Sequence, residues 1–236
     1  MRPSIIFDFD GTLAIGHGPV LAYARFVADA AGPQFVERVE SELANYDAGA
    51  TEYRDGYNIV ASLAEADGVD DQTMAAAYIR SREELGTRSA PVRSMPGLDD
   101  FLSRIGQHAR LVLATNAPQE GVGRVLENWG VQDSFDELHF RVGKPAGLKA
   151  IVEVELAEGP VLAVGDIVEY DLAPALALGA DTALVGATAA TSTAQVTMRD
   201  ASLENLVSAI HTWAVQAAAP ASSALPTTSE RSSHHA

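Results

Sequence analysis

Ser4-Ile5-Ile6-Phe7-Asp8-Phe9-Asp10-Gly11-Thr12-Leu13 is the stretch from which the rest of the chain can be read. Residues 4 to 9 are β-branched and aromatic up to a turn at Gly11, which predicts a short buried strand running into a tight turn. Alternation along a strand puts Asp8 and Asp10 on one side of its end and Phe7 and Phe9 on the other. Two carboxylates so close do not both ionise cheaply unless a cation sits between them.

C-terminal to this strand, from Val20 to about Arg88, apolar residues fall at helical spacing: Val20, Ala24, Val27 and Ala31; Val36, Val39, Leu43 and Tyr46; Tyr53, Tyr57, Val60 and Ala64; Met74, Tyr78 and Leu85. Gly32-Pro33, Ala48-Gly49 and Gly68 with Asp70 punctuate them into four helices. After Pro96-Gly97 the texture alternates. Helices are expected near 98 to 106, 119 to 129, 146 to 157, 170 to 178 and 202 to 216. Strands are expected at Arg110 to Thr115, Glu137 to Arg141, Val161 to Val164 and Thr182 to Val185. Strands alternating with helices imply a parallel sheet covered on both faces. The expected class is therefore α/β: a Rossmann-like three-layer core from residues 1–15 and 94–216, with a four-helix unit, 16–93, inserted after the first strand. Residues 217–236 are rich in Ala, Pro, Ser and Thr and are expected to form a disordered tail, where His234 and His235 stand in solvent.

Composition narrows the function. Of 236 residues, 32 are acidic and 16 basic, a formal charge of -16 that opposes binding to a phosphate backbone, so nucleic acid is not an expected partner. The chain has no cysteine, so disulfides, thiolate nucleophiles and cysteine-based zinc sites are excluded. No stretch approaches the roughly 18 apolar residues of a membrane span, and the start carries no signal-peptide core; a soluble cytoplasmic protein without a membrane partner is expected. Lys144 and Lys149 are the only lysines.

Three features stand at the C-terminal ends of expected strands, where open α/β sheets bind ligands: Asp8-x-Asp10, Thr115-Asn116, and Gly165-Asp166 followed by Asp171. Lys144 stands in the loop before a helix. Asp166 adds a hard oxygen ligand to the pair at the first strand, a set suited to Mg²⁺. With a cation present, one aspartate can stay ionised as a nucleophile while the other gives and takes a proton. Thr115 and Lys144 add a hydroxyl and a fixed positive charge, and together these are parts for phosphoryl transfer. Uncatalysed phosphomonoester hydrolysis calls for up to about 10²¹-fold acceleration, roughly 29 kcal/mol, which no single residue supplies.

Asp8-Phe9-Asp10-Gly11-Thr12-Leu13, Thr115-Asn116, Lys144-Pro145 and Gly165-Asp166-x4-Asp171 resemble, in order, the four signature motifs of the haloacid-dehalogenase-like (HAD) hydrolase superfamily. The resemblance implies Asp8 as nucleophile, Asp10 as general acid and base, and Thr115, Asn116 and Lys144 at the phosphate, Asn116 chiefly through its backbone amide. It implies Mg²⁺ held by Asp8, Asp166 and the Asp10 carbonyl, with Asp171 binding the metal or orienting its waters. Its substrate would be a small phosphorylated metabolite, hydrolysed through an aspartyl-phosphate. Spacing supports the architecture: Thr115 to Lys144 is 29 residues and Lys144 to Asp166 is 22, each one strand-helix unit, whereas Asp10 to Thr115 is 105. In this superfamily an insertion there resembles a type 1 cap, a lid that excludes water.

Simpler readings stand beside these. Asp8 and Asp10 could be turn formers, Thr115-Asn116 and Asp171 helix caps, and Lys144 a surface lysine. His17, on the linker and near enough to face the site, is expected in solvent; Arg25, Arg54, Arg80, Arg82 and Arg88 are candidates to read a substrate's anionic end, but each is expected on a solvated helix face. Ile167 stands where relatives often carry Ser or Thr, and Ala14-Ile15-Gly16 replaces the Asp-Ser pair of phosphoglycolate-phosphatase-like members. The acid at Asp10 argues against a dehalogenase, and the lack of a lysine in residues 16–93 against a phosphonatase. A sugar phosphomutase of the β-phosphoglucomutase kind and a non-catalytic domain of the same fold remain as alternatives.

Overall fold

The computed structural model describes residues 2–49 and 53–219. The first strand, β1, spans Ser4–Phe7 at the centre of a parallel sheet, and all its side chains are buried: Ile5, Ile6 and Phe7 are apolar, and the Ser4 hydroxyl donates to Glu155. It lies parallel to and between β2 (Arg110–Ala114) and β4 (Val161–Gly165), with Ile6 opposite Val112 on one side and Ala163 on the other. With β3 (Glu137–His139), β5 (Asp181–Leu184) and β6 (Met198–Arg199) the order is β3-β2-β1-β4-β5-β6, every pair parallel. Strand order changes direction between β1 and β4. The crevice beyond their C-terminal ends is thus a switch point, the place where such sheets bind ligands.

Helices cover both faces. α5 (Leu98–Gly106), α6 (Gln119–Trp129) and α9 (Leu203–Ala218) pack on the face of Ile5, Phe7, Leu111, Leu113 and Val164. On the other face α7 (Ala146–Glu158) and the short α8 (Ala173–Ala177) pack on Ile6, Val112 and Ala163. Phe7 meets Phe101 and Phe135 edge to face, and Phe9 stacks on Trp129. These contacts hold the odd-numbered residues of the first motif in one core and leave the aspartates at the crevice.

Between β1 and α5 the chain forms the four expected helices: α1 (Gly18–Ala31), α2 (Phe35–Asp47), α3 (Gly56–Ala66) and α4 (Asp71–Glu83). They bury an apolar cluster of their own, including Val27, Phe35, Val39, Leu43, Ile59 and Val60. Asp55 and Asp70 cap α3 and α4, accepting from the backbone of Asn58 at 2.6 Å and Thr73 at 2.9 Å. The end of α4 is fastened to the sheet domain. Arg124 on α6 donates to the carbonyls of Glu83 (3.0 Å) and Leu85 (2.9 Å), and Gly121 lets α6 approach the Arg82 carbonyl.

The structure departs from the expected elements in four places. The helix expected near 170 to 178 is a wide π-helical turn, Val168–Leu172, followed by α8; Pro174, which has no N–H to donate, fits only at the start of the regular helix. The strand from Glu137 ends at His139, ahead of Arg141 with φ 50°. The two-residue edge strand β6 is too short to carry a periodic signal. The last helix runs on to Ala218, past the expected start of the tail at 217, and residues 220–236 of that tail lie outside the described residues. Among the described residues, no helix is long and apolar enough to cross a membrane.

Gly121→Ala tests the fastening. Alanine adds up to about 1 kcal/mol of helix propensity, but its Cβ would lie 2.5 Å from the Arg82 carbonyl oxygen and 2.9 Å from Leu85 Cβ. Backbone cannot rotate away, so overpacking of about 1–3 kcal/mol should win. Urea unfolding is expected to show a net loss of stability; a gain would mean that the junction yields freely.

Candidate active site

All seven sequence-predicted residues come together at the C-terminal ends of β1, β2 and β4 and the loop before α7. Asp8 follows β1 directly, Thr115 and Asn116 follow β2, and Asp166 follows β4. Lys144 precedes α7, and the wide turn after β4 swings Asp171 back under the site. They line a cavity of about 320 Å³, whose opposite wall is Tyr23, Asn58, Ala61 and Tyr78 of the inserted helices, with Arg54 and Asp55.

Lys144 is the hub. Its side chain is 3% exposed, and Nζ donates to Asp8 Oδ1 at 2.6 Å and to Asp171 Oδ1 at 2.7 Å. The surface-lysine alternative is thereby excluded. Its loop is held by Asn116, whose side-chain oxygen accepts from the Lys144 backbone N–H at 2.8 Å. Asn116 thus acts structurally through its side chain, a contact that the expected backbone role did not include. Thr115 accepts from the Ala117 N–H at 3.0 Å, which leaves its hydroxyl proton free to donate. Burial works against the ammonium, but Asp8 and Asp171 outweigh it and the pKa of Lys144 rises.

The carboxylates are over-supplied. Asp8, Asp166 and Asp171 bring ligand oxygens within 4.8 Å of one another. Three carboxylates against the one ammonium leave a formal excess of two negative charges. Burial pushes the Asp8 carboxyl up to about 7, against the pull of Lys144 and with a further push from Asp171. Burial, then Asp8 and Asp171, push Asp166 well up as well.

The donor set fits Mg²⁺: the ligands are hard oxygens, the charge excess matches a divalent ion, and the buried Asp166 Oδ1 has no hydrogen-bond partner. Gly11, at φ 82°, leaves that carboxylate its space, since a Cβ there would stand 2.1 Å from Asp166 Oδ2. Asp171 is otherwise engaged at both oxygens, the second accepting from the Ile167 N–H at 3.0 Å. The backbone amide of Ile167 thereby supplies a hydrogen bond at the position where the resemblance implies a hydroxyl.

Asp10 points elsewhere. Its two oxygens accept from Nη1 and Nη2 of Arg82, each at 3.0 Å, a bidentate fork. Arg82 is 1% exposed, which overturns its expected place on a solvated helix face. The reason is tertiary: α4 ends at the sheet domain, which covers the side of its last turn that carries Ser81 and Arg82, while Arg80 and Glu83 stay exposed. One signal was available, because Arg82 continues the i, i+4 row of Met74 and Tyr78. Burial opposes the Arg82 charge and Asp10 more than offsets it, so its pKa rises. Tyr57 also accepts from Arg82, and burial holds its hydroxyl protonated by raising its pKa. With Asp10 turned to Arg82, its backbone carbonyl is the atom left for the metal role expected of it.

The other arginines divide. Arg25 reaches the Ser89 carbonyl, Arg80 lies over Phe26 at 4.0 Å, and Arg54 stacks over Tyr170 at 4.5 Å beside the cavity. His17 is partly exposed, as expected for the linker, and its Nε2 lies 2.8 Å from Asp47.

Comparison with known proteins places these motifs. The structure resembles the HAD-hydrolase YfnB of Bacillus subtilis, which is bound to magnesium (18% identity over 89% of this chain and 98% of that one, TM-score 0.59). It also resembles a HAD phosphatase from Thermococcus onnurineus (18%, 89% and 98%, TM-score 0.52) and the L-2-haloacid dehalogenase of Xanthobacter autotrophicus (16%, 90% and 99%, TM-score 0.52). At these identities the likeness speaks for the fold alone. No curated protein matches the chain. The family model of haloacid dehalogenase-like hydrolases matches residues 4–179, which include all four motifs. The chain belongs to the haloacid dehalogenase-like hydrolase family.

Proposed function

We propose that the protein is a Mg²⁺-dependent phosphatase that hydrolyses a small phosphomonoester through an aspartyl-phosphate on Asp8. The observation that carries this reading is the buried Lys144 ammonium bridging Asp8 and Asp171 beside the unpartnered Asp166 oxygen. A carboxylate nucleophile, a fixed cation for the phosphoryl oxygens and a cation-binding cluster thus share one wall of the cavity.

In the first step an Asp8 oxygen forms a bond to phosphorus as the ester oxygen leaves, taking a proton from Asp10. In the second, water attacks the phosphorus of the aspartyl-phosphate, Asp10 takes its proton, and Asp8 is regenerated as inorganic phosphate departs. Lys144 and Thr115 hold the phosphoryl oxygens while charge shifts among them. Mg²⁺, when held by Asp8, Asp166 and the Asp10 carbonyl beside Asp171, supplies charge neutralisation at the phosphate. The four inserted helices act as a cap: their tyrosines face Asp8 across the cavity, where they exclude water and select the leaving group.

A dehalogenase is disfavoured by Asp10, since a departing halide needs no proton. A panel of phosphomonoesters assayed with and without Mg²⁺ tests the reading and identifies substrates; turnover without the cation would contradict it. Asp8→Asn is expected to lower aryl phosphate hydrolysis by at least about a thousandfold while circular dichroism stays native. Mg²⁺ at ten times its Kd should add about 1.4 kcal/mol of stability in thermal melts. Asp166→Asn should abolish that gain, and an undiminished shift in the variant would remove Asp166 from the metal site.

A further inference from the structure

The contact least accounted for by the motifs is the fork between Arg82 and Asp10. We infer that Arg82 is a positioning residue for proton transfer, holding the Asp10 carboxylate in the plane from which it serves the departing and entering oxygens. The inference rests on the phosphatase reading above.

The geometry is specific. Asp10 sits on the turn after β1, where its carboxylate would otherwise rotate about two side-chain bonds. Arg82 removes that freedom by meeting both oxygens at the same 3.0 Å. An ionised carboxylate offers about four lone-pair sites, and the fork uses one on each oxygen, so a site remains to take a proton from water; the protonated form carries its O–H on that site and still has acceptor capacity for both guanidinium nitrogens. Lysine, a point donor, could fix one oxygen and not the plane.

Arg82 is itself immobilised. Its carbonyl abuts Gly121, while Arg124 holds the carbonyls of the residues at positions 83 and 85, so the guanidinium projects from a part of the insertion tied to the sheet domain. Tyr57, from α3, closes the arrangement: its hydroxyl accepts from Nη1 of Arg82 and lies 3.5 Å from Asp10 Oδ1. The orienting cation is therefore anchored to the sheet domain, although it belongs in sequence to the inserted helices.

A residue acting through Asp10 should matter in proportion to the leaving group's need for a proton. The test compares kcat/KM, which reads formation of the phosphoenzyme, for an alkyl phosphomonoester and for 2,4-dinitrophenyl phosphate, whose phenolate departs unprotonated. Arg82→Gln is expected to lower the first by about 100-fold and the second by less than about threefold, as Asp10→Asn should. Arg82→Lys, which keeps the charge and is the safer variant for folding, should show the same selectivity at about tenfold. Equal losses on both esters, or an unchanged ratio in Arg82→Lys, would overturn the inference while leaving the phosphatase reading intact. A wild-type protein inert toward both esters with Mg²⁺ would overturn both.

Discussion

Three carboxylates and one ammonium, buried together where β1 and β4 end, set the terms for everything around them. Charges withdrawn from water must be compensated locally, and Lys144 compensates only part of the Asp8, Asp166 and Asp171 set. The remainder appears as upward pressure on the Asp8 and Asp166 carboxyls and as an Asp166 oxygen without a donor. Such a cluster is costly for folding, and a bound cation would offset that cost. On the phosphatase reading, the same imbalance draws in the metal and, once it is neutralised, frees Asp8 to act as nucleophile.

The sheet makes this concentration possible without strain. Parallel strands deliver their C-terminal ends to one edge, and alternation sends Ile5, Phe7 and Phe9 into one apolar layer while Ile6 enters the other. The aspartates begin where the ladder stops and are thereby directed to the crevice. Gly11 and Gly165 then provide clearance: a Cβ at Gly165 would strike Asp171, as one at Gly11 would strike Asp166. Small residues at these points follow from the packing of carboxylates.

The second charged pair, Arg82 with Asp10, ties the inserted helices to the first motif. Its placement depends on where α4 ends and on how α6 receives it, so residues more than 70 positions apart behave as one unit. The insertion accordingly has a fixed corner at Arg82 and a wall of tyrosines facing the cavity. On the phosphatase reading, selection falls to the wall and orientation to the corner.

Much of this was legible from residue order. The β-branched run ending in Asp8-Phe9-Asp10 determined a buried strand with acids at its tip, and the intervals to Thr115, Lys144 and Asp166 determined a parallel core interrupted once, because a strand-helix unit has a nearly constant length. What only the tertiary structure decided is where long side chains end. Arg82 reads as a solvated cation because its immediate chain neighbours are polar, and it is buried because the sheet domain covers its side of that turn. Asn116 supports the Lys144 loop with its side chain, and the turn after β4 widens to bring Asp171 beneath the lysine. Local pattern determines which face of an element is apolar; the partner of a buried charge is decided by whatever the fold places opposite it.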